Sequence, residues 1–224
     1  MSFLWEEVKN AYKIYCRRYG QSKMVKIYLV GVSCVGKSTI GKLLAMELDF
    51  FFYDFDKEIE KYFGKPIECI QENFLFPYSY REETRIVLRE LLNKKGNSVI
   101  ASCPSGLRDV YLREYKKSRE NKENILISIH ISDKPENILE RITFYDKESM
   151  LLNKKLSEKE KRLYLKEIKK EITFFNKFNN RADYEFNIEG LKIDKTPKYL
   201  IDFLNSKNSE FKRYMRQRKT QKSR

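Results

Sequence analysis

The chain has 224 residues, with 46 Lys and Arg against 32 Asp and Glu, and a net charge of +14. Hydrophobic residues make up 41%, including 15 Phe and 15 Tyr, which excludes a wholly disordered chain and suits one well-filled domain. No apolar run approaches the ~18–20 residues of a membrane span, and Cys16, Cys34, Cys69 and Cys103 show no CxxC spacing beside a single His, so neither a membrane span nor a zinc site is expected.

Reduced thiols in the cytoplasm are the matching expectation. The N-terminus carries Glu6 and Glu7 and no continuous apolar run, unlike a secretory signal. The charge is uneven: +7 over residues 207–224, +3 over 1–25, and about +4 over the long remainder. A mildly basic body suits an anionic substrate such as a nucleotide. The basic end is expected to be a solvated, disordered tail, with nucleic acid weighed as a partner only through it.

In chain order, residues 3–18 place Phe3, Leu4, Val8, Ala11, Tyr12 and Tyr15 near one helical face, an amphipathic helix within a segment 1–24. Met24–Val32 is a continuous apolar run, as in a buried parallel strand. A Gly-rich turn and a helical pattern from Thr39 follow. Phe50–Asp54 reads as a second strand, Asp56–Phe63 as a helix stopped by Gly64, and 66–73 as a short helix. A long helix over 78–95 precedes a third strand at Ser98–Ser102. A polar helix over 106–120 leads to the fourth strand, Ile125–Ile131. Helices over 135–145 and 157–180 precede a fifth strand, Tyr184–Ile188, and a closing helix spans Thr196–Leu204, with its continuation into the basic end as an alternative. The long charged helix has Leu163, Ile168, Ile172, Phe175 and Phe178 as its apolar members. Strands alternate with helices and no hairpin signal is present, so the expected fold is α/β with a parallel sheet covered on both faces.

The chemistry-bearing motif is Gly31-Val-Ser33-Cys34-Val35-Gly36-Lys37-Ser38, followed by Thr39. It matches G-x-x-x-x-G-K-[ST], with an apolar strand before it and a helix after it. Loop amides and the helix N-terminus would hold phosphate oxygens, Lys37 would neutralise the β- and γ-phosphates, and Ser38 would offer a hydroxyl to Mg²⁺. About twenty residues on, Asp54 and Asp56 flank Phe55 at the end of the second strand. Positions i and i+2 of a strand point the same way, so both carboxylates can face the cleft at the strand ends. One can sit near Mg²⁺ and the other can take a proton from a substrate hydroxyl; capping the next helix is the plainer role.

GVSCVGKST (31–39), YDFDKEIEKYFGKPIECI (53–70), Tyr80-Arg81 and VIAS (99–102) together resemble the shikimate kinase family over residues 25–205. The resemblance implies a three-layer P-loop fold of the nucleoside-monophosphate-kinase type with a five-stranded parallel sheet. It implies ATP and Mg²⁺ as cofactors, a small-molecule acceptor, and a place in aromatic amino acid biosynthesis. ATP would touch Gly31, Ser33, Cys34, Val35, Gly36, Lys37, Ser38 and Thr39, with Arg141 and Pro197 on the adenine side. Asp56 would be the base, with Lys37 the other catalytic group. Asp54 and Ser38 would hold the metal, and Arg81 and Gly106 would join Asp56 on the substrate. A monomer is expected, divided into 1–24, a kinase domain 25–206 with a candidate lid at 146–170, and the tail 207–224.

Several residues depart from the family pattern. Cys103-Pro104-Ser105, followed by Gly106, replaces a triple glycine, and Pro104 removes an N–H donor. A second carboxylate-binding Arg of the late helix falls at Glu171. For the lid, Lys154, Lys155 and Arg162 are the candidate cations. The competing functions are a same-fold kinase for a nucleoside, nucleotide or sugar acid, and a nucleotide-binding regulatory protein that uses the basic tail on nucleic acid. The loop alone also looks like gluconate kinase.

Overall fold

A computed structural model describes residues 23–121, 123–145, 151–152 and 155–222. The helix expected over 3–18 lies outside them, as do 146–150 and Lys154 of the candidate lid. The elements run β1 (Met24–Val30), α1 (Lys37–Leu48), β2 (Phe51–Asp54), α2 (Phe55–Phe63), α3 (Ile67–Glu72), α4 (Pro77–Asn93), β3 (Ser98–Ala101), α5 (Asp109–Glu120), β4 (Asn124–Ser132) and α6 (Pro135–Glu140). They continue with β5 (Phe144–Tyr145), β6 (Leu151–Leu152), α7 (Glu158–Asn179), β7 (Tyr184–Asn187), α8 (Thr196–Lys207) and α9 (Ser209–Lys222).

Five strands form one sheet in the order β2-β3-β1-β4-β7, and every pairing in it is parallel. β1 lies at the centre, with Tyr28 opposite Ile100 on one side and Ser128 on the other. Its continuous apolar run has a physical reason, because neither face meets water. Val25, Ile27 and Leu29 point into a core layer completed by α1, α8 and α9. Tyr28 and Val30 point into the opposite layer with Phe55, Leu88, Leu91 and Tyr111. This alternation makes the three layers. Lys26 breaks the apolar run yet is fully buried. Its ammonium donates to the Lys94 carbonyl at 2.7 Å, and burial lowers its pKa to about 8.

Two expectations need correction. The helix placed over 135–145 stops at Glu140, and Phe144–Tyr145 pairs antiparallel with Leu151–Leu152, a small ladder where no hairpin was expected. Phe144 and Tyr145 are β-favouring residues that follow the α6 turn. The basic segment 207–224 is not a solvated tail over its described part. Phe211 is fully buried and Tyr214 is 9% exposed, both in the α1–α8 core layer. Arg218 pairs with Asp49 at 2.8 Å and lies over the Phe50 ring at 5.5 Å. Apolar residues at 211, 214 and 215 share one helical face, so α9 docks by that face and turns its charges outward. In α7, Ser157 and Glu160 close a capping box at the expected start. Of its apolar members, Ile168 is buried and Leu163 is 57% exposed.

Candidate active site

The loop between β1 and α1 is shaped by its glycines. Gly31 sits at φ +148, and a Cβ there would lie 2.5 Å from the Ile131 carbonyl oxygen of β4. Gly36 caps α1 at φ +108, and Cys34 also takes a left-handed conformation, φ 57. Val35 is buried and anchors the loop, while Ser33, Ser38 and Thr39 are exposed. No side chain caps α1, and its first turn has no acid. Its first amides and the positive end of the helix dipole are therefore suited to a phosphate. Lys37 is buried beneath the loop and donates to the carbonyls of Gly31 at 3.0 Å and Val32 at 2.8 Å.

A cavity of about 690 Å³ opens beside this loop, walled by Gly36, Lys37, Ser38 and Thr39 on one side and by Arg141, Ile142 and Ile193 on the other. Arg141 thus lies where an adenine nucleotide would extend. Its guanidinium reaches Asp133 at 2.6 Å and the Val35 carbonyl at 3.4 Å. Pro197 is buried in the first turn of α8 and is not among the cavity walls; Ile193, five residues after Ile188, is. Ile193 carried no signal in the sequence beyond an apolar residue in a polar loop.

Asp54 is the last residue of β2, but the strand stops there and Asp56 lies in the first turn of α2. The expected i, i+2 strand alternation therefore does not position the pair; the strand-to-helix junction does. Asp54 Oδ1 accepts from the backbone N–H of Asp56 at 3.2 Å and of Lys57 at 3.5 Å, so it caps α2. The capping and functional readings are compatible, because only one carboxylate oxygen is engaged by the cap. Burial pushes the Asp56 carboxyl up to about 6, and neighbouring Asp54 adds to the rise while Lys37 opposes it. Burial also lowers the Lys37 pKa, against the pull of Asp56. The two groups feel each other across the cleft floor. Cys103 is the third member of that floor. Its thiol is pushed up to about 12 by burial and by Asp56, so it is a neutral side chain and no nucleophile.

Mg²⁺ fits this donor set. The exposed hydroxyl of Ser38 and a carboxylate of Asp54 are hard oxygen ligands of the kind the ion takes alongside phosphates and water. No group of three or more His, Cys, Asp or Glu that could hold a metal ion occurs among the described residues, so Mg²⁺ here would depend on hydroxyl, phosphate and water oxygens beside Asp54.

The remaining expected residues divide. Arg81 is 5% exposed, and its Nη2 donates to Asp109 at 2.7 Å across the α4–α5 packing. Gly106 is buried, and its polar groups are engaged internally: its N–H donates to Cys103 and its carbonyl accepts from Tyr28 at 3.0 Å. A Cβ on Gly106 would lie 1.9 Å from Ser102 Oγ. Gly106 is thus tightly packed at this turn. Glu171 of α7 is exposed but lies within the electrostatic reach of Lys37. Partial desolvation raises its pKa while Lys37 pulls it down. No helix among the described residues is long and apolar enough to cross a membrane.

The comparisons with known proteins agree with this geometry. A family model described as shikimate kinase matches residues 33–187. The shikimate kinase of Persephonella marina is 36% identical over 146 residues, which are 63% of this chain and 84% of that protein. A shorter match to the Aquifex aeolicus shikimate kinase is 40% identical over 83 residues, about half (48%) of that protein. The crystal structure of the Aquifex aeolicus enzyme superposes with a TM-score of 0.60 at 26% identity, covering 83% of this chain and 99% of that one. The fold is also shared with an Acinetobacter baumannii shikimate kinase solved in complex with shikimate (TM-score 0.62, 22% identity, 84% and 97% covered). With the family model spanning more than half of the chain and the phosphate loop, paired aspartates and five-stranded sheet all in place, this chain belongs to the shikimate kinase family, ATP-dependent small-molecule kinases.

Proposed function

We propose that the chain transfers the γ-phosphoryl group of ATP to a hydroxyl of shikimate, giving shikimate 3-phosphate. The observation that carries this reading is Asp56: a largely buried carboxylate in the first turn of α2, raised to about 6, within the field of the phosphate-loop Lys37. A group poised there can take a hydroxyl proton near neutral pH. ATP lies along the 690 Å³ cavity, its phosphates on the loop amides and Lys37, its base toward Arg141 and Ile193. Lys37 leaves the Gly31 and Val32 carbonyls and turns its charge on the β- and γ-phosphates. Asp56 orients the acceptor hydroxyl and receives its proton. Catalysis is then positioning and charge stabilisation, as phosphoryl transfer requires. Mg²⁺, held by Ser38 and Asp54 together with the phosphates, adds positive charge against the transferring group when bound. Arg81 binds the acceptor carboxylate. A cytoplasmic monomer is part of this reading.

A second reading keeps the chemistry and changes the acceptor. It is favoured by Glu171, a carboxylate within the field of Lys37 where the resemblance calls for an Arg. The test is product identification by phosphorus NMR after incubation with ATP, Mg²⁺ and shikimate. A new phosphate monoester on shikimate supports the first reading; ester formation only with a nucleoside, nucleotide or sugar acid supports the second. Arg81→Ala is expected to raise the shikimate KM about tenfold or more, and an unchanged KM removes the carboxylate role.

A further inference from the structure

Three charged side chains meet between α4, α5 and α7. Arg81 Nη2 lies 2.7 Å from Asp109 Oδ2, and Arg108 Nε lies 3.0 Å from the same oxygen. The three side chains differ in exposure: 6% for Arg81, 28% for Arg108 and 34% for Asp109. A deeply buried guanidinium is thus covered by a more accessible carboxylate. Neither arginine is fully satisfied: the buried Nε of Arg81 has no hydrogen-bond partner, and the Nε of Arg108 meets Asp109 Oδ2 as an ion pair without hydrogen-bond geometry. One carboxylate oxygen serves two forks that could bind a carboxylate in bidentate fashion. Asp109 also sits at φ 48, a left-handed conformation that costs free energy for a non-glycine residue.

Arg108 is held in place from the far side. Its guanidinium lies over the Phe174 ring at 5.2 Å and the Phe178 ring at 5.0 Å, both from α7. Glu171, Phe174 and Phe178 follow one helical face. The late helix therefore offers a carboxylate where the family pattern has its second Arg, together with an aromatic platform that fixes a guanidinium arriving from the start of α5.

We propose that Arg108 is the second guanidinium of the acceptor-carboxylate site, and that Asp109 is an internal carboxylate occupying that site until the acceptor displaces it. The inference rests on the shikimate reading above and deepens it. It explains how a chain without the late-helix Arg can hold a carboxylated acceptor. It also gives Asp109 a role as internal competitor, which a purely structural ion pair would not have.

The test compares steady-state kinetics of the full chain and of Arg108→Ala, Arg108→Lys and Asp109→Asn. Each is measured with shikimate and with its methyl ester, which keeps the hydroxyls and loses the charge. Arg108→Ala is expected to raise the shikimate KM about tenfold or more, with the ATP KM unchanged and little effect on the ester. Arg108→Lys is expected to recover only part of that loss, because an ammonium has no fork. Asp109→Asn tolerates the same left-handed backbone and is expected to lower the shikimate KM several-fold. Equal losses with shikimate and its ester assign Arg108 a structural role and overturn the proposal. A higher KM in Asp109→Asn overturns the competitor role. If the unaltered chain turns over shikimate but Arg108→Ala leaves the KM unchanged, this inference fails and the shikimate reading stands. If the unaltered chain neither phosphorylates nor binds shikimate by calorimetry, both fail.

Discussion

The Arg141 guanidinium lies 2.6 Å from the Asp133 carboxylate, whose side chain is fully buried just past the end of β4. Asp133 also accepts from the Lys134 N–H and from Asn137 Nδ2, both at 2.7 Å. The carboxylate is thus fixed by its own turn, and Arg141 is fixed by the carboxylate. Through this pair the sheet places a guanidinium at the wall of the nucleotide cavity. Asp133→Asn is expected to release Arg141 and raise the ATP KM about tenfold, the scale of one weakened charge-assisted hydrogen bond. Nucleotide titration of the variant checks this, with the shikimate KM as the control expected to stay unchanged.

Asp56 links catalysis to stability. Its carboxyl is raised to about 6, above the ordinary carboxylate range, with burial the largest cause. Between that range and pH 6 the folded chain holds more protons than the unfolded one, so this group lowers stability as pH rises through the window. Above about pH 6 the full cost of the buried anion is present. Asp56→Asn is therefore expected to stabilise the fold at about pH 7.5, on the order of 1–2 kcal/mol, with no gain near pH 4. The same variant should bind nucleotide and lose transfer. Thermal unfolding at both pH values checks the first point, and a Tm at pH 7.5 no higher than that of the unaltered chain contradicts it. For the unaltered chain, kcat/KM should fall on the acid side with an apparent pKa near 6.

Phe211 is fully buried on α9 and packs into the same layer as Leu44 and Leu204. Phe211→Ala is expected to cost about 3–5 kcal/mol, the range for emptying a buried aromatic site. Deleting residues 207–224 removes this contact and the Asn97–Tyr214 hydrogen bond of 2.8 Å as well. A basic appendage could be cut without consequence, but this segment is expected to be required for a stable fold. Denaturant unfolding of Phe211→Ala is the check; unchanged stability would show α9 to be dispensable.

Gly31 tests the loop itself. Alanine there would combine an unfavourable φ with a 2.5 Å approach to the Ile131 carbonyl, and a carbonyl of a central strand cannot move aside. Gly31→Ala is expected to raise the ATP KM and lower Tm together. An effect on neither would mean the loop can relax at this point.

The phosphate loop and the paired aspartates were legible in the sequence because their constraints are local. Nine consecutive residues carry the loop, and Asp54 and Asp56 stand two positions apart at one strand-to-helix junction, although the strand alternation expected of them gives way to the first turn of α2. The sheet was legible too, since β1 is apolar apart from Lys26 and β4 carries Ile125, Leu126, Ile127, Ile129 and Ile131, runs that call for burial. The Arg81–Asp109 pair was not legible. Its members are separated by 28 positions and meet only through α4–α5 packing. The docking of α9 was present as Phe211, Tyr214, Met215 and Arg218 at helical spacing, but eight basic residues outweighed that stripe. The end of α6 was misplaced because Thr143, Phe144 and Tyr145 continue an apolar pattern while favouring extended backbone.

The central claim is that this site phosphorylates shikimate with Asp56 as base. The most direct measurement is ADP release from ATP and Mg²⁺ in a coupled assay, with shikimate beside a panel of sugar acids, nucleosides and nucleotides, for the unaltered chain, Lys37→Ala and Asp56→Asn. The account predicts shikimate-dependent turnover that both substitutions reduce by ~10²-fold or more. Turnover only with another acceptor, or shikimate turnover that survives either substitution, would contradict it.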